Sequence, residues 1–167
     1  MKLSASMIST MAALGALIAP AFASAASSDE AEIRALQDQV AAAISAKDVD
    51  AIVKNYSSDV FVFDVVPPRA YVGAAAWRAD WMGVLKNTPG PMSMKVEDLV
   101  VTADGQIGFS HGVDHYVNTL PDGTKADMFI RASNAYRKVD GHWVIVEEHL
   151  SVPVDLASGK PDLLSKP

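Results

Sequence analysis

The sequence predicts an α+β fold in which helices come first and one antiparallel sheet follows. Three Asp-Gly pairs divide the second half of the chain into strand-like runs, because Asp-Gly accepts the positive φ angles of tight hairpin turns. The pairs are Asp104-Gly105, Asp122-Gly123 and Asp140-Gly141, and the runs cover 92–103, 106–119, 125–138 and 142–152. Apolar residues at helical spacing before the first run predict helices that pack on this sheet.

Two helices are predicted at the start of the folded domain. Ser27 to Glu30 has the spacing of a capping box, and apolar residues then recur at helical spacing as far as Ile44. Asp48 is suited to cap a second, shorter helix that carries Val49, Ile52, Val53 and Tyr56.

A strand and a third helix are predicted before the meander. Val60 to Val65 is β-branched and aromatic, which is typical of a strand. Pro67-Pro68 ends this strand, because proline cannot donate to a ladder. Gly73 opens a helical stretch through Lys86, with Trp77 and Trp81 one turn apart on its apolar side.

The N-terminal segment is predicted to be a secretory signal peptide. Lys2 gives a positive start, Met7 to Phe22 is apolar, and small residues follow as far as Ala25. The expected organisation is a signal peptide at 1–25, one domain at 26–154 and a loosely ordered tail at 155–167. The exported protein would be periplasmic or secreted. A retained anchor is the alternative, but the apolar stretch is shorter than the roughly 20 residues that span a bilayer.

The composition excludes several classes of function. The net charge of −6 disfavours nucleic acid and anionic membrane surfaces as partners. With no cysteine there are no disulfides, thiolate nucleophiles or thiolate metal sites. His111 and His115 would lie about 13 Å apart along a strand, too far for one zinc ion. No phosphate-binding loop or nucleophile elbow occurs, so neither a metal nor a cofactor is expected.

Two stretches of the chain resemble the SnoaL-like branch of the nuclear transport factor 2-like superfamily. One runs from Ala46 to Asp59, and the other from Arg131 to Pro153, where Tyr136-Arg137-Lys138, Trp143 and Glu148-His149 carry the pattern. The resemblance implies a cone-shaped α+β barrel, in which N-terminal helices pack on a curved antiparallel sheet and a pocket lies at the open end. It also implies that homodimers are common. Members range from isomerases, dehydratases and cyclases to binding and oligomerisation modules, so the fold alone does not specify a reaction.

Asp64 is the candidate general base. A carboxylate in an apolar strand is costly unless it is paired or used. The resemblance places Asp64 where ketosteroid isomerase carries the base that takes a proton from carbon beside a carbonyl. The tyrosine that stabilises the enolate in that isomerase is matched here by Val40. The alternative is a structural aspartate that accepts backbone hydrogens at the end of the strand.

Arg131, Glu147 and His149 are predicted to converge on the cavity face of the sheet. The prediction follows from strict alternation of side chains along the last two strands. Such a group could bind a carboxylate or enolate, with His149 as acid or base near neutral pH. The alternative is a buried ionic network that only fixes the strand register.

Tyr56, Trp77, Trp81 and His115 complete the predicted ligand contacts. The aromatic side chains would form an apolar wall, and the alternative for them is ordinary core packing. The sequence therefore predicts an exported, cofactor-free protein that binds a small apolar molecule. As an enzyme it would be an isomerase, dehydratase or cyclase that transfers protons on a carbonyl-type substrate, with Asp64 and His149 as the acid–base pair. The alternative is a non-catalytic binding or oligomerisation module that dimerises through the convex face of the sheet.

Overall fold

The computed structural model describes residues 21–166, with side chains described from Ser28 onward. In this part of the chain, helices and strands follow one another in an α+β arrangement, as predicted. Their bounds are α1 Ala21–Ala46, α2 Val49–Val53, β1 Tyr56–Phe63, β2 Tyr71–Val72, α3 Ala74–Asn87, β3 Met92–Asp104, β4 Ile107–Thr119, β5 Lys125–Val139 and β6 His142–Ser151.

Helix α1 begins earlier than the capping-box spacing predicted. It starts at Ala21, so Ser27 to Glu30 lies inside the helix and that predicted start is wrong. Asp29 instead accepts hydrogen bonds from the Lys138 ammonium at 2.6 Å and the Trp143 indole at 3.3 Å. These bonds attach the helix to the β5–β6 hairpin. Of the predicted signal peptide, residues 1–20 lie outside the described residues, and the cleavage and the exported location stay predictions.

Helix α2 is short and capped as predicted. Lys47 ends α1 in the left-handed region, at φ 57°. The Asp48 side chain then accepts a hydrogen bond from the Ala51 amide at 3.0 Å. Tyr56, which the helical pattern placed on α2, instead opens strand β1.

The six strands form one sheet in the order β2-β1-β6-β5-β4-β3. All neighbours are antiparallel except β1 and β6, which run parallel. The predicted four-strand meander is confirmed, and every predicted boundary lies within one residue of the observed one. The glycines of the three Asp-Gly turns have φ angles of 61°, 84° and 82°, as such turns require.

A β-bulge decides which residues of β6 face the core. Ile145 and Glu147 pair with adjacent residues of β5, so Val146 is an extra residue between them. Ile145 is buried before the bulge, and Glu148 is buried after it. The inward-facing parity of β6 therefore changes from odd to even residue numbers at Val146.

The helices cover the concave face of the curved sheet. Helix α1 lies along β3, where Arg34 donates to the Leu99 carbonyl at 2.8 Å and Ser45 accepts from the Met94 amide at 2.9 Å. Helix α3 packs against β1 and β2 and buries Trp77 in the core. Among the described residues, no helix has both the length and the apolar character that crossing a membrane requires.

Candidate functional site

A cavity of about 380 Å³ opens between helix α3, the inner face of the sheet and the segment after β6. Its volume lies within the range of small-molecule sites, roughly 300–1,000 Å³. Most of the wall is apolar or aromatic, and it includes Trp77, Trp81, Val84, Met92, Tyr116, Met128, Ile130, Leu150, Val152, Pro161 and Leu163. Asp64, Asp80 and Asn118 are the wall residues with carboxyl or amide side chains in the described part of the chain.

The C-terminal segment forms one wall of this cavity. The Phe129 amide donates to the Leu163 carbonyl at 2.9 Å, beyond the point where β6 stops pairing with β5. A bridge between Val154 and Pro161 closes the intervening loop. Pro161 and Leu163 thereby reach the cavity, so part of the segment predicted as a tail belongs to the site.

Asp64 follows directly after β1 and lines the cavity. Its Oδ1 accepts a hydrogen bond from the Val65 amide at 2.6 Å. Burial raises the pKa of the Asp64 carboxyl to about 6, against the opposing effect of the Val65 N–H and with a further increase from the charge of Asp80. A carboxylate with this pKa is ionised at neutral pH and is more basic than an ordinary aspartate, as a general base requires.

Asp80 brings a second carboxyl group to the cavity from helix α3. The Tyr71 hydroxyl donates to Asp80 Oδ1 at 2.6 Å, which fixes the carboxyl at the cavity mouth. Burial, followed by this contact with Asp80, raises the pKa of the Tyr71 hydroxyl above its ordinary value, so the hydroxyl keeps its proton. Across residues 28–166, no lysine, arginine or histidine forms an ion pair with Asp64 or Asp80.

Two buried polar atoms on the wall lack a hydrogen-bond partner within the described residues. They are Nε1 of Trp81 and Oδ1 of Asn118. These residues are only 6% and 8% exposed, and buried polar atoms are normally paired. The cavity wall therefore offers a donor and an acceptor that a bound molecule can satisfy.

Two further carboxyl groups, which were not predicted as site residues from the sequence, lie deeper in the core. Burial raises the pKa of Asp114 to about 7. Burial, and then the charge of Asp114, raise the pKa of Glu148 to about 8. Glu148 Oε2 accepts a hydrogen bond from the Tyr56 hydroxyl at 3.1 Å. Glu148 is therefore mainly protonated at neutral pH.

The strand pattern contains a signal for Asp114 but none for Glu148. Ser110, Asp114 and Tyr116 share one parity of β4, and all three are buried. That alternation alone predicts a row of polar side chains on the inward face of β4. Glu148 lies beyond the bulge, so alternation counted from the start of β6 assigns it to the wrong face.

The predicted cavity position of Arg131, Glu147 and His149 is wrong. All three are exposed on the outer, convex face of the sheet. They do share one face. Ser133 and Ala135 have the same parity on β5 as Arg131, and they pair with His149 and Glu147. The bulge turns Glu147 and His149 outward, and Arg131 has the outward parity of β5. The His149 ring lies near that of Phe63, with centroids 5.4 Å apart and the planes tilted by 57°, and it does not form an acid–base pair with Asp64.

His115 also lies on the outer face, so its predicted contact with the cavity is wrong. Its ring nitrogens lie 3.1 Å from Glu97 and 2.8 Å from Asp127. The ring stacks on Phe129 with centroids 4.3 Å apart. These contacts join three neighbouring strands. No cluster of three or more histidine, aspartate or glutamate side chains suited to a metal ion occurs in the part of the chain that the structure describes.

The predicted aromatic residues divide into a wall and a supporting layer. Trp77 and Trp81 line the cavity, edge to face with centroids 5.7 Å apart. Tyr56 is buried beside Trp77, with centroids 6.3 Å apart, and its hydroxyl contacts Glu148. Tyr56 therefore positions groups around the cavity without lining it.

The fold and the cavity define a class of protein: a cone-shaped α+β protein whose curved sheet and helices enclose a small-molecule-sized cavity. Residues 33–155 match the SnoaL-like domain family, and the chain belongs to that family, within the nuclear transport factor 2-like superfamily. The resemblance seen in the sequence is thus confirmed.

Solved structures show the same fold. A nuclear transport factor 2-like protein of unknown function from Pseudomonas putida KT2440 is 28% identical, with a TM-score of 0.78, and the match covers 84% of this chain and 98% of that one. A candidate dehydratase of the same family from Streptomyces avermitilis is 14% identical, with a TM-score of 0.67 and coverage of 75% and 96%. A candidate scytalone dehydratase from Novosphingobium aromaticivorans is 12% identical, with a TM-score of 0.69 and coverage of 76% and 85%. No curated protein matches the chain.

Proposed function

We propose that this protein binds a small, largely apolar molecule in the cavity and transfers a proton within it, with Asp64 as the base. The proposal rests on one observation: a carboxylate with a raised pKa and no cationic partner among the described residues lies on the wall of an apolar cavity. The reaction class is that of an isomerase, dehydratase or cyclase, and the chemistry uses side chains alone.

The wall also supplies a group that can stabilise the product of proton removal. When a base takes a proton from carbon beside a carbonyl, negative charge develops on the carbonyl oxygen, and preorganised donors stabilise it. The unpartnered indole N–H of Trp81 is such a donor. We assign it the role that the resemblance gives to the first-helix tyrosine of ketosteroid isomerase, which is matched here by Val40. Two of the solved structures are candidate dehydratases, and dehydration belongs to the proposed class of reaction.

A model substrate tests the base without knowledge of the natural one. Nitrobenzisoxazole is flat and apolar, and it opens to a coloured cyanophenolate when a base removes its carbon-bound proton and the N–O bond breaks. We expect the wild-type protein to accelerate this reaction, with a rate that falls as pH drops below about 6, where Asp64 becomes protonated. Asp64→Asn should lower the rate about 100-fold.

The control variant is Asp38→Asn, which removes an exposed carboxylate on helix α1, outside the cavity wall. It should retain the wild-type rate and pH profile. Equal rates for wild type and Asp64→Asn would refute proton transfer by Asp64. Circular dichroism of each variant establishes that a lost rate reflects lost chemistry and not unfolding.

A non-catalytic binding or oligomerisation module is the second candidate function. It is favoured by apolar side chains on the convex face, where Val100, Ile107 and Phe109 are 48%, 61% and 49% exposed. We propose that this face joins two copies into a homodimer. Native mass spectrometry should show a dimer for the wild type and a monomer for Phe109→Asp. A dimer without any rate on nitrobenzisoxazole would favour this second function.

A further inference from the structure

We infer that the molecule held in the cavity is an organic amine: an apolar body against the two tryptophans and an ammonium group beside Asp80. The inference rests on the proposed function, and it specifies the ligand class of the same cavity. It assigns separate roles to the two carboxyl groups, with Asp80 holding the ammonium and Asp64 free to exchange a proton.

The charges of the wall residues carry the first part of the argument. Two carboxyl groups line the cavity, and their negative charges repel each other. No lysine, arginine or histidine of residues 28–166 lines the cavity or pairs with either group. Partly buried charges without a counter-charge are costly. A ligand ammonium supplies the missing positive charge, whereas a carboxylate or phosphate ligand adds a third negative charge.

The position of Asp80 suits a charged end group. Its carboxyl is fixed by the Tyr71 hydroxyl at 2.6 Å, and it borders both the cavity and a shallower recess at its mouth. An ammonium there would keep some contact with water while the apolar part of the ligand enters the cavity. Such an arrangement reduces the cost of removing the charge from solvent.

The other wall groups complete the recognition of an amine. Aromatic faces attract cations, tryptophan most strongly, and Trp77 and Trp81 both line the cavity. Asn118 is 8% exposed and its Oδ1 has no partner among the described residues, so an acceptor is available for an N–H donor. These two features do not depend on the carboxyl groups, and they point to the same ligand chemistry.

Three probes with one ring system test the inference: naphthylmethylamine, naphthylmethanol and naphthoate. Their affinities for the full-length protein are measured by isothermal titration calorimetry at about pH 8, where Asp64 is ionised and the amine is protonated. We expect the amine to bind about tenfold more tightly than the alcohol, and the acid to bind most weakly, because charge-assisted hydrogen bonds are the stronger ones.

Variants separate the two carboxyl groups. Asp80→Asn should weaken amine binding about tenfold and change alcohol binding less than about twofold. Asp38→Asn is the matched control and should change none of these affinities. If the alcohol and the acid bind as tightly as the amine, or if Asp80→Asn leaves amine affinity unchanged, the amine inference is refuted and small-molecule binding stands. If none of the three probes binds to the wild type, the binding role itself is refuted.

Discussion

Replacing Glu148 by glutamine is expected to make the protein more stable at mildly alkaline pH. Glu148 is 7% exposed, and burial raises the pKa of its carboxyl from 4.5 to about 8 in the folded state. The folded protein thus binds this proton more tightly than the unfolded chain does. The resulting stabilisation is complete below about pH 4.5, declines as pH rises, and is lost above about pH 8.

The size of this effect follows from the two pKa values. Between them, each pH unit removes about 1.4 kcal/mol from the free energy of unfolding. Because the decline levels off near the folded-state pKa, Glu148 alone should account for a loss of about 2 kcal/mol between pH 6 and pH 8. Glutamine cannot ionise, and its side-chain oxygen can still accept the hydrogen bond from Tyr56.

Urea unfolding at several pH values, followed by circular dichroism, measures the difference. Relative to wild type, Glu148→Gln should gain about 2 kcal/mol of unfolding free energy when pH rises from about 6 to about 8. Asp114 remains in both proteins, so the comparison removes the part of its slope that does not depend on the charge of Glu148. The control is Glu147→Gln, the exposed neighbour on the same strand, which should follow the wild-type pH dependence.

Parallel pH dependences for wild type and Glu148→Gln would refute the assignment of a buried, protonated Glu148. The same conclusion would follow if Glu147→Gln flattened the profile as much as Glu148→Gln does. In either case the inward parity of β6 after the bulge would be in error, because that parity alone buries Glu148 and exposes Glu147.

Two further substitutions test other parts of the structure. His149→Ala removes an exposed ring that lies near Phe63 on the outer face, so it should leave probe binding unchanged and alter unfolding free energy by less than about 0.5 kcal/mol. A loss of probe affinity would show that His149 contributes to the binding site. Asp48→Ala removes the cap of α2 and should cost about 1 kcal/mol in urea unfolding, whereas an unchanged midpoint would mean that the cap bond at Ala51 contributes nothing.

The sequence was sufficient for the four-strand meander because hairpin signals are local. Each Asp-Gly pair fixes the position of a turn through its own backbone preferences. The first and last residues of the strand between two turns are then largely fixed as well. The same reasoning failed at Ser27, where the spacing of a capping box occurs inside a helix that begins at Ala21. A capping-box sequence allows a helix to start at that position. It does not prevent the upstream residues from extending the helix, as they do here from Ala21.

The candidate site was less predictable because it is assembled from distant segments. Asp64 was found because an acid near the end of an apolar strand is conspicuous in any sequence. Asp80 was missed, since an aspartate on a helix is ordinary until α3 is packed across the sheet. Leu163 was missed because it reaches the cavity wall through a hydrogen bond with Phe129, in the part of β5 that does not pair with β6.

A single extra residue in β6 changes which charged side chains face the cavity. Without the bulge at Val146, strict alternation turns Glu147 and His149 inward and places an imidazole beside the carboxyl groups of the cavity. With the bulge, those side chains face solvent together with Arg131, and no basic side chain of residues 28–166 lines the cavity. Asp64 and Asp80 then set the charge of the site, and the favoured ligand is a cation. Binding of the amine and acid probes therefore tests the strand register as well as the ligand class.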